Sequence, residues 1–134
     1  MNRKTLYIIR GLPGSGKSTL GDSLASSGKS LAADDWFTDK DGNYNFDPQE
    51  LPQAHEDCEL RCVGAMLNEE ESICVSNTFS QRWEIDPYFK IARTYGYSVF
   101  VIECQNQFGN VHNVPIDVVE EMEDRWEKVR TFNR

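Results

Sequence analysis

Short apolar runs alternate along this chain with stretches whose apolar residues recur at helical spacing. Strands are predicted at 5–10, 29–33, 72–76 and 97–103, and the first has the unbroken apolar character of a buried parallel strand. Helices are predicted at 18–27, within 47–71, at 86–95 and from 115 to about 130. Since helices connect successive strands, the pattern predicts an α/β fold, with a four-stranded parallel sheet covered by helices on both faces.

Local signals define several of these boundaries. Asp86 and Pro87 have the pattern of an N-cap followed by a first-turn proline, so a helix is predicted to begin there and to end at Gly96. The Asp41-Gly42 pair predicts a tight hairpin turn within a polar excursion after the second strand.

The junction between the first strand and the first helix carries the sequence GLPGSGKST. It matches a phosphate-binding loop, in which glycines permit a sharp turn, backbone N–H groups converge on one anion, and the helix N-terminus adds positive charge. Lys17 would reach the β- and γ-phosphates of ATP or another nucleoside triphosphate, and the Ser18 hydroxyl would coordinate Mg²⁺. The alternative is a glycine-rich turn that binds nothing. The predicted nucleotide-binding residues of the loop are Gly11, Pro13, Gly14, Ser15, Gly16, Lys17, Ser18 and Thr19.

Polar side chains follow the second and third strands at the carboxyl edge of the sheet, where ligands bind in open α/β sheets. Asp34 and Asp35 are predicted to lie beside the acceptor, and Asp34 is the preferred base for removing a hydroxyl proton. Asp35 is expected to bond to backbone or to help position a metal ion; alternatively, the pair caps the following turn. Asn77 and Thr78 follow the third strand. Because Asn77 is uncharged, Mg²⁺ would rely on Ser18, phosphate oxygens, water and Asp34.

The composition fits one small domain over residues 1–134, with 39% apolar residues. No run of about 18 apolar residues is present and no signal peptide precedes the first strand, so a cytoplasmic protein without a membrane segment is expected. The net charge of −8 opposes tight binding along a long nucleic-acid backbone, but not binding of a nucleotide or short strand in a local basic pocket. Four cysteines without a C-x-x-C pair are expected to be buried free thiols rather than a structural zinc site.

The polar segment at 105–113 contains a glycine and follows the fourth strand, which is typical of a lid over a phosphate site. This segment contains no arginine, although phosphoryl transfer needs positive charge beyond the lysine of the loop. Arg82, after the third strand, is the candidate that would supply the charge, unless it is exposed to solvent. His112 is a second candidate when protonated; the alternative is a structural role for this histidine.

Five motifs occur in an order that resembles the polynucleotide kinase-like P-loop kinases, and most of all the branch that contains NEDD4-binding protein 2. They are GLPGSGKST, ADDWF, FDPQELPQAHE, VSNTF and NVHNVPID, and together they span nearly the whole chain. The resemblance implies the strand order 2-3-1-4 and the ATP-dependent phosphorylation of a 5′-hydroxyl on nucleic acid.

The same resemblance implies roles for individual residues. It assigns phosphate and Mg²⁺ to Lys17 and Ser18, the general base to Asp34, and the acceptor site to Asn77 and Thr78. Residues 114–117, with Val114 and Pro115 first, would border the adenine. Two departures concern positive charge: the lid lacks the arginines usual in the family, and Phe37 stands where phage kinases carry an arginine. Asn77 also replaces an aspartate of the phage kinases.

Three functions are consistent with the sequence. The leading hypothesis is a kinase for a hydroxyl on a nucleic acid or nucleotide. A kinase for another small hydroxyl, such as a modified nucleoside, a base hydroxymethyl group or a metabolite, is the alternative that the acidic charge favours. The third is a nucleotide-binding module without transfer activity, which the arginine-free lid favours.

Overall fold

The computed structural model describes residues 4–13, 15–25, 29–105 and 116–129. One sheet with parallel pairing contains β1 (Thr5–Arg10), β2 (Lys29–Leu31), β3 (Ser72–Asn77) and β4 (Ser98–Glu103), in the order β2-β3-β1-β4. The helices are α1 (Lys17–Leu24), α2 (Leu51–Leu67), α3 (Arg82–Tyr95) and α4 (Ile116–Asp124), with short 3-10 helices at Ala33–Phe37 and Pro48–Glu50. The predicted fold class and strand order are therefore confirmed.

Helices cover both faces of the sheet. Successive residues of β1 point to opposite sides, so its apolar side chains reach a cluster on each face. Leu6 and Ile8 pack into the larger apolar cluster together with buried residues of α2 and α3. Ile9 points to the other side, where it packs with Cys74 and with Ala25 at the end of α1. Burial on both faces explains why the sequence of β1 lacks polar alternation.

The strands end together at one edge of the sheet. Arg10, the last residue of β1, lies in register with Asn77 of β3 and with the last residue of β4. Beyond the strands, the Gly11 backbone N–H donates to Thr78 O at 3.3 Å, and the Cys104 N–H donates to Arg10 O at 2.8 Å. The residues that follow β1, β3 and β4 are therefore fixed side by side, as a site at this edge requires.

Helix α3 begins at Arg82, earlier than the Asp86 start that the local Asp-Pro pattern predicts. Two carboxylates stabilise the earlier start: Glu84 accepts from the Gln81 backbone N–H at 2.9 Å, and Glu127 accepts from that of Arg82 at 3.0 Å. Both bonds satisfy N–H groups that a helix N-terminus leaves without partners. The predicted start was wrong because a carboxylate distant in sequence contributes to the cap.

Three other predicted ends extend too far. Helix α4 ends at Asp124 rather than near residue 130, because the Glu127 backbone N–H donates to Ser80 O at 2.7 Å instead of continuing the helix. Strand β2 ends at Leu31 rather than at residue 33, where a 3-10 helix begins. Helix α1 ends at Leu24 rather than at residue 27.

Two turns that depend on glycine are confirmed. Gly96 follows α3 with φ of 77°, and Gly42 has φ of 85°, both in the left-handed region that favours glycine. The turn at Gly42 brings Thr38 and Tyr44 together as an isolated antiparallel bridge. This hairpin delivers Tyr44 to the carboxyl edge of the sheet.

No helix in the described ranges is long and apolar enough to cross a lipid bilayer. The four cysteines are free, as predicted; Cys58, Cys62 and Cys74 are buried, whereas Cys104 is partly exposed. Burial raises the pKa of Cys62 to about 12 and that of Cys74 to about 11, so both thiols stay protonated at neutral pH.

The guanidinium of Arg10 is buried at the end of β1, with only 1% of the residue exposed. Its Nε and Nη2 donate to Phe79 O at 3.0 and 2.6 Å, and Nη2 also donates to Ser80 O at 3.3 Å. Nη1 lies 3.6 Å from Glu103 Oε1, and the Trp126 ring lies 4.0 Å from the guanidinium carbon. Burial lowers the pKa of Arg10, and Glu103 opposes that change. One side chain thus connects the ends of β1, β3 and β4 to the segment after α4.

Replacing Arg10 tests this connection. We expect Arg10→Ala to lower the free energy of unfolding by about 3 kcal/mol, because it leaves the Phe79 carbonyl without its donor and Glu103 without its cation. Urea denaturation followed by circular dichroism measures the loss. Arg93→Ala, which removes an exposed arginine from the last turn of α3, is the matched control and should stay within about 0.5 kcal/mol of wild type. Equal stability of the two variants would contradict the account.

Candidate functional site

A cavity of about 1700 Å³ lies at the edge where the strands end, large enough for a nucleotide together with a second substrate. Its walls come from the loop after β1, the 3-10 helix after β2, the residues after β3 and the region of α4. The predicted site residues that line it are Pro13, Ser15, Gly16, Lys17, Ser18, Thr19, Asp34, Asp35, Asn77 and Thr78. Some predicted residues lie outside the part of the chain that the structure describes. They are Gly14, residues 106–113 of the lid (with His112), Val114 and Pro115.

The loop between β1 and α1 requires glycine at two places. A Cβ added at Gly11 would lie 2.3 Å from Ser15 Oγ and 2.9 Å from Cys104 O, so no larger residue fits between the loop and the end of β4. Gly16, just before the first helical residue, has φ of 90°. The loop geometry therefore accounts for the glycines at both positions.

The start of α1 is suited to an anion. Gly16 caps the helix without a side-chain hydrogen bond, and the first turn contains no acidic residue. The buried Ser15 hydroxyl has no hydrogen-bond partner among the described residues. Unsatisfied donors at the positive end of a helix fit the phosphates of a nucleotide.

Lys17 is held beside the loop by a hydrogen bond from Nζ to Leu12 O at 3.1 Å. Burial lowers the pKa of this ammonium group, and the charge of Asp34 opposes that effect. A partly desolvated ammonium group gains most from an anionic ligand. Lys17 and Asp34, two of the predicted residues, line the same cavity.

Asp34 lies on the 3-10 helix that follows β2, with its side chain exposed to the cavity. Its Oδ1 accepts from the Tyr44 hydroxyl at 3.1 Å, while its Oδ2 bonds to no described residue. Burial, followed by the charge of Asp34 and this hydrogen bond, raises the pKa of Tyr44, so the phenol remains a donor. One carboxylate oxygen is oriented and the other is available to a substrate.

Asp35 has a different environment, although it also lines the cavity. Its Oδ2 accepts from the Ala32 backbone N–H at 3.1 Å and from Arg61 Nη1 at 3.0 Å. Arg61 in turn donates to Asp57 Oδ2 at 2.8 Å and to Ala32 O at 3.0 Å. The expected bond between Asp35 and backbone is present, and its carboxylate contributes to fixing the turn that carries Asp34.

The Asn77 side chain is buried and also supports this turn. Its Oδ1 accepts from the Ala33 backbone N–H at 2.7 Å, immediately before Asp34. Its Nδ2 lies 3.9 Å from Cys58 Sγ. The bond to Ala33 makes Asn77 a positioning residue for Asp34, a role that the sequence analysis missed because it joins residues far apart in the chain.

Arg82 does not join the other predicted residues. Its side chain is 60% exposed and its Nε lies 3.6 Å from Asp86 Oδ1, one turn along α3. It is not among the described residues that line the cavity. The structure does not bring Arg82 to the other predicted residues, because the early start of α3 places it beside Asp86, and its compensation for the arginine-free lid stays a prediction. Within the described part of the chain, the arginine that lines the cavity is Arg125, which no sequence pattern singled out.

The residues fit a magnesium ion held mainly by a nucleotide. Among the described residues, no group of three or more His, Cys, Asp or Glu side chains could hold a metal ion by itself. The Ser18 hydroxyl and the Asp34 carboxylate line the same cavity and are hard oxygen donors. Mg²⁺ typically takes few protein ligands and completes its shell with water and substrate phosphates.

Residues 6–107 match a protein family described as AAA domain. Human NEDD4-binding protein 2 is 32% identical over 135 residues, which cover 92% of this chain and 8% of that protein. An uncharacterised protein of Pasteurella multocida (strain Pm70) is 30% identical over 133 residues, covering 89% of this chain and 74% of that protein. The chain thus spans less than a tenth of the human relative and about three quarters of the bacterial one.

Solved structures share the fold. The Pnkp1/Rnl/Hen1 complex matches with a TM-score of 0.61 at 17% identity, covering 98% of this chain and 42% of that chain. The Mycobacterium tuberculosis APS kinase in complex with AMPPNP and APS matches with a TM-score of 0.56 at 16% identity, covering 92% and 70%. A gluconokinase from Sinorhizobium meliloti 1021 matches with a TM-score of 0.61 at 13% identity, covering 96% and 78%. The fold is that of the P-loop kinases.

Alkylation of the cysteines should report on the occupancy of the cavity. Cys104 is partly exposed and lines the cavity, and the charge of Lys17 opposes the rise that burial gives to the pKa of its thiol. We expect iodoacetamide at pH 8 to modify Cys104 at least about tenfold faster than the three buried thiols. AMPPNP with Mg²⁺ should slow the reaction, and mass spectrometry of the digested protein measures it. Unchanged reactivity of Cys104 in the presence of bound nucleotide would contradict this placement of the phosphate loop.

Proposed function

Since this chain belongs to the AAA domain family and has the P-loop kinase fold, we propose that it transfers the terminal phosphoryl group of ATP, or of another nucleoside triphosphate, to a hydroxyl group. The donor phosphates bind along the loop from Gly11 to Thr19, with Lys17 at the β- and γ-phosphates. Ser18 and Asp34, which line the same cavity, would hold Mg²⁺ together with phosphate oxygens and water. The ion, when bound, neutralises phosphate charge.

The observation that carries the proposal is that Lys17 of the phosphate loop and the carboxylate of Asp34 line the same cavity. A P-loop alone fixes a nucleotide. The Asp34 carboxylate lines the same cavity as Lys17 of the P-loop. Tyr44 orients one of its oxygens, and the other is available to accept a proton. Donor and acceptor halves of a transfer site are therefore present in this chain.

The transfer step uses these groups as follows. The acceptor hydroxyl gives its proton to Asp34 as its oxygen forms a bond to the γ-phosphorus. The bond between that phosphorus and the bridging oxygen of the β-phosphate breaks, and the nucleoside diphosphate leaves with the electron pair. Asp34 then releases the proton to solvent. Asp35 and Asn77 hold the 3-10 helix that positions Asp34.

We propose the 5′-hydroxyl of a nucleic acid or nucleotide as the acceptor. The order of the sequence motifs supports this class, and so do the aromatic rings of Phe46 and Trp83, which line the cavity and remain 49% and 66% exposed. A nucleobase can stack on such rings without a sequence preference. Asn77 and Thr78 also line the cavity.

A kinase for a smaller, neutral hydroxyl compound is the second candidate. The specific observation in its favour is that the carboxylates of Glu56, Glu59 and Glu84 also line the cavity. Such charges disfavour an acceptor that carries many phosphates and leave a neutral acceptor unaffected.

An acceptor panel tests the proposed function. The protein with Mg²⁺ and ATP labelled at the γ-phosphate is incubated with 5′-hydroxyl DNA, 5′-hydroxyl RNA, nucleosides and modified-base DNA, and transferred label is counted. We expect label on a 5′-hydroxyl oligonucleotide or nucleotide. Label on other hydroxyl compounds alone would support the second candidate, and ATP binding without transfer to any acceptor would contradict a kinase.

Substitution of the two central residues should separate binding from transfer. Lys17→Ala should weaken nucleotide binding, whereas Asp34→Asn should bind ATP normally and lower kcat by roughly 10²-fold or more, because the amide cannot accept the proton. Calorimetry and the label assay measure the two quantities. Asp41→Asn removes the same charge from the nearby hairpin and is the control, with kcat expected to be unchanged. An Asp34→Asn protein as active as this control would rule out Asp34 as the base.

A further inference from the structure

We propose that Arg125, in the segment after α4, binds a γ-phosphate oxygen of the nucleotide and neutralises negative charge on the transferring phosphoryl group. This inference rests on the proposed function and deepens it. Among the described residues that line the cavity, the lysine and arginine side chains are Lys17 and Arg125, while the acidic ones are more numerous. Phosphoryl transfer requires positive charge beyond one lysine, and Arg125 is placed to provide it.

A short series of contacts connects Arg125 to Arg10, the residue that precedes the phosphate loop. Arg125 Nε donates to Ser80 Oγ at 3.0 Å, and Ser80 O accepts from the buried Arg10 at 3.3 Å. Arg10 directly precedes Gly11, whose backbone N–H donates to Thr78 O. The guanidinium of Arg125 is therefore attached to the same group of residues that fixes the beginning of the loop.

The terminal nitrogens of Arg125 remain available to a ligand. Its hydrogen bond to Ser80 uses Nε, and no described residue bonds or forms an ion pair with Nη1 or Nη2. A guanidinium offers its terminal N–H groups as a planar fork that matches two phosphate oxygens. The hydrogen bond from Nε to Ser80 orients the guanidinium and leaves Nη1 and Nη2 available to phosphate oxygens.

The residues that follow Arg125 anchor its backbone. The Trp126 ring lies 4.0 Å from the Arg10 guanidinium carbon. The Glu127 backbone N–H donates to Ser80 O at 2.7 Å, and its carboxylate accepts from the Arg82 N–H at 3.0 Å. An arginine on an anchored backbone loses little conformational freedom when it binds phosphate, so its charge is oriented before the reaction.

Arg125 makes no covalent bond in the proposed step. The acceptor oxygen forms its bond to phosphorus, the bond to the β-phosphate oxygen breaks, and the hydroxyl proton passes to Asp34. Arg125 contacts only the non-bridging oxygens, which carry the negative charge throughout the transfer.

The test compares Arg125→Ala with the control Lys128→Ala. The control removes a positive charge three residues along the chain, and Lys128 does not line the cavity. We expect Arg125→Ala to lower kcat by roughly 10²-fold or more, Arg125→Lys to restore part of the loss, and Lys128→Ala to leave kcat unchanged. Circular dichroism confirms that each variant is folded. Equal kcat in Arg125→Ala and Lys128→Ala would overturn the proposal.

A binding measurement separates this proposal from the proposed function. Wild-type protein that transfers no label to any acceptor overturns the kinase assignment, but Arg125 is then still tested by calorimetry with AMPPNP and adenosine. Arg125→Ala should weaken AMPPNP binding about tenfold and leave adenosine binding unchanged, since only the former carries the γ-phosphate. Equal AMPPNP affinity in Arg125→Ala and Lys128→Ala would overturn the role of Arg125 even if the enzyme is active.

Discussion

The carboxyl edge of the sheet is held together by the buried guanidinium of Arg10. The Arg10 side chain donates to backbone carbonyls beyond β3, pairs with Glu103 at the end of β4 and stacks on Trp126 beyond α4. A buried arginine is costly to desolvate unless such partners surround it, so the elements that supply these partners are constrained to meet there. Since the phosphate loop begins at the next residue, the same constraint sets where the loop lies relative to β3, β4 and the segment after α4.

The remaining polar network is arranged around the loop by bonds to backbone. Asn77 and Asp35 hold the turn after β2 through the N–H groups of Ala33 and Ala32, and Tyr44 orients Asp34. These contacts keep a carboxylate near the lysine of the loop in a protein whose net charge is −8. Among the described residues that line the cavity, Lys17 and Arg125 are the lysine and the arginine, while the acidic side chains are more numerous.

The sequence predicts those parts of the structure that depend on local patterns. Strand β1 is found at 5–10 as predicted because its apolar run needs burial on both faces, and the loop is identified because its glycines are sterically required. The start of α3 was missed since Glu127 completes the cap from another part of the chain. Arg125 was missed for the same reason: its bond to Ser80 spans 45 residues, and only the folded chain brings the two together.

The central claim is that the donor phosphate and the acceptor hydroxyl meet between Lys17 and Asp34. The most direct test of this claim is a crystal structure of the protein with ADP, Mg²⁺, aluminium fluoride and an acceptor. The acceptor is the compound that becomes labelled in the acceptor panel. The account predicts that the fluoride group lies against Lys17 and the loop, with the acceptor oxygen about 2.6–3.2 Å from an Asp34 oxygen. An acceptor hydroxyl bound away from Asp34, with another side chain within hydrogen-bond distance of it, would contradict the account.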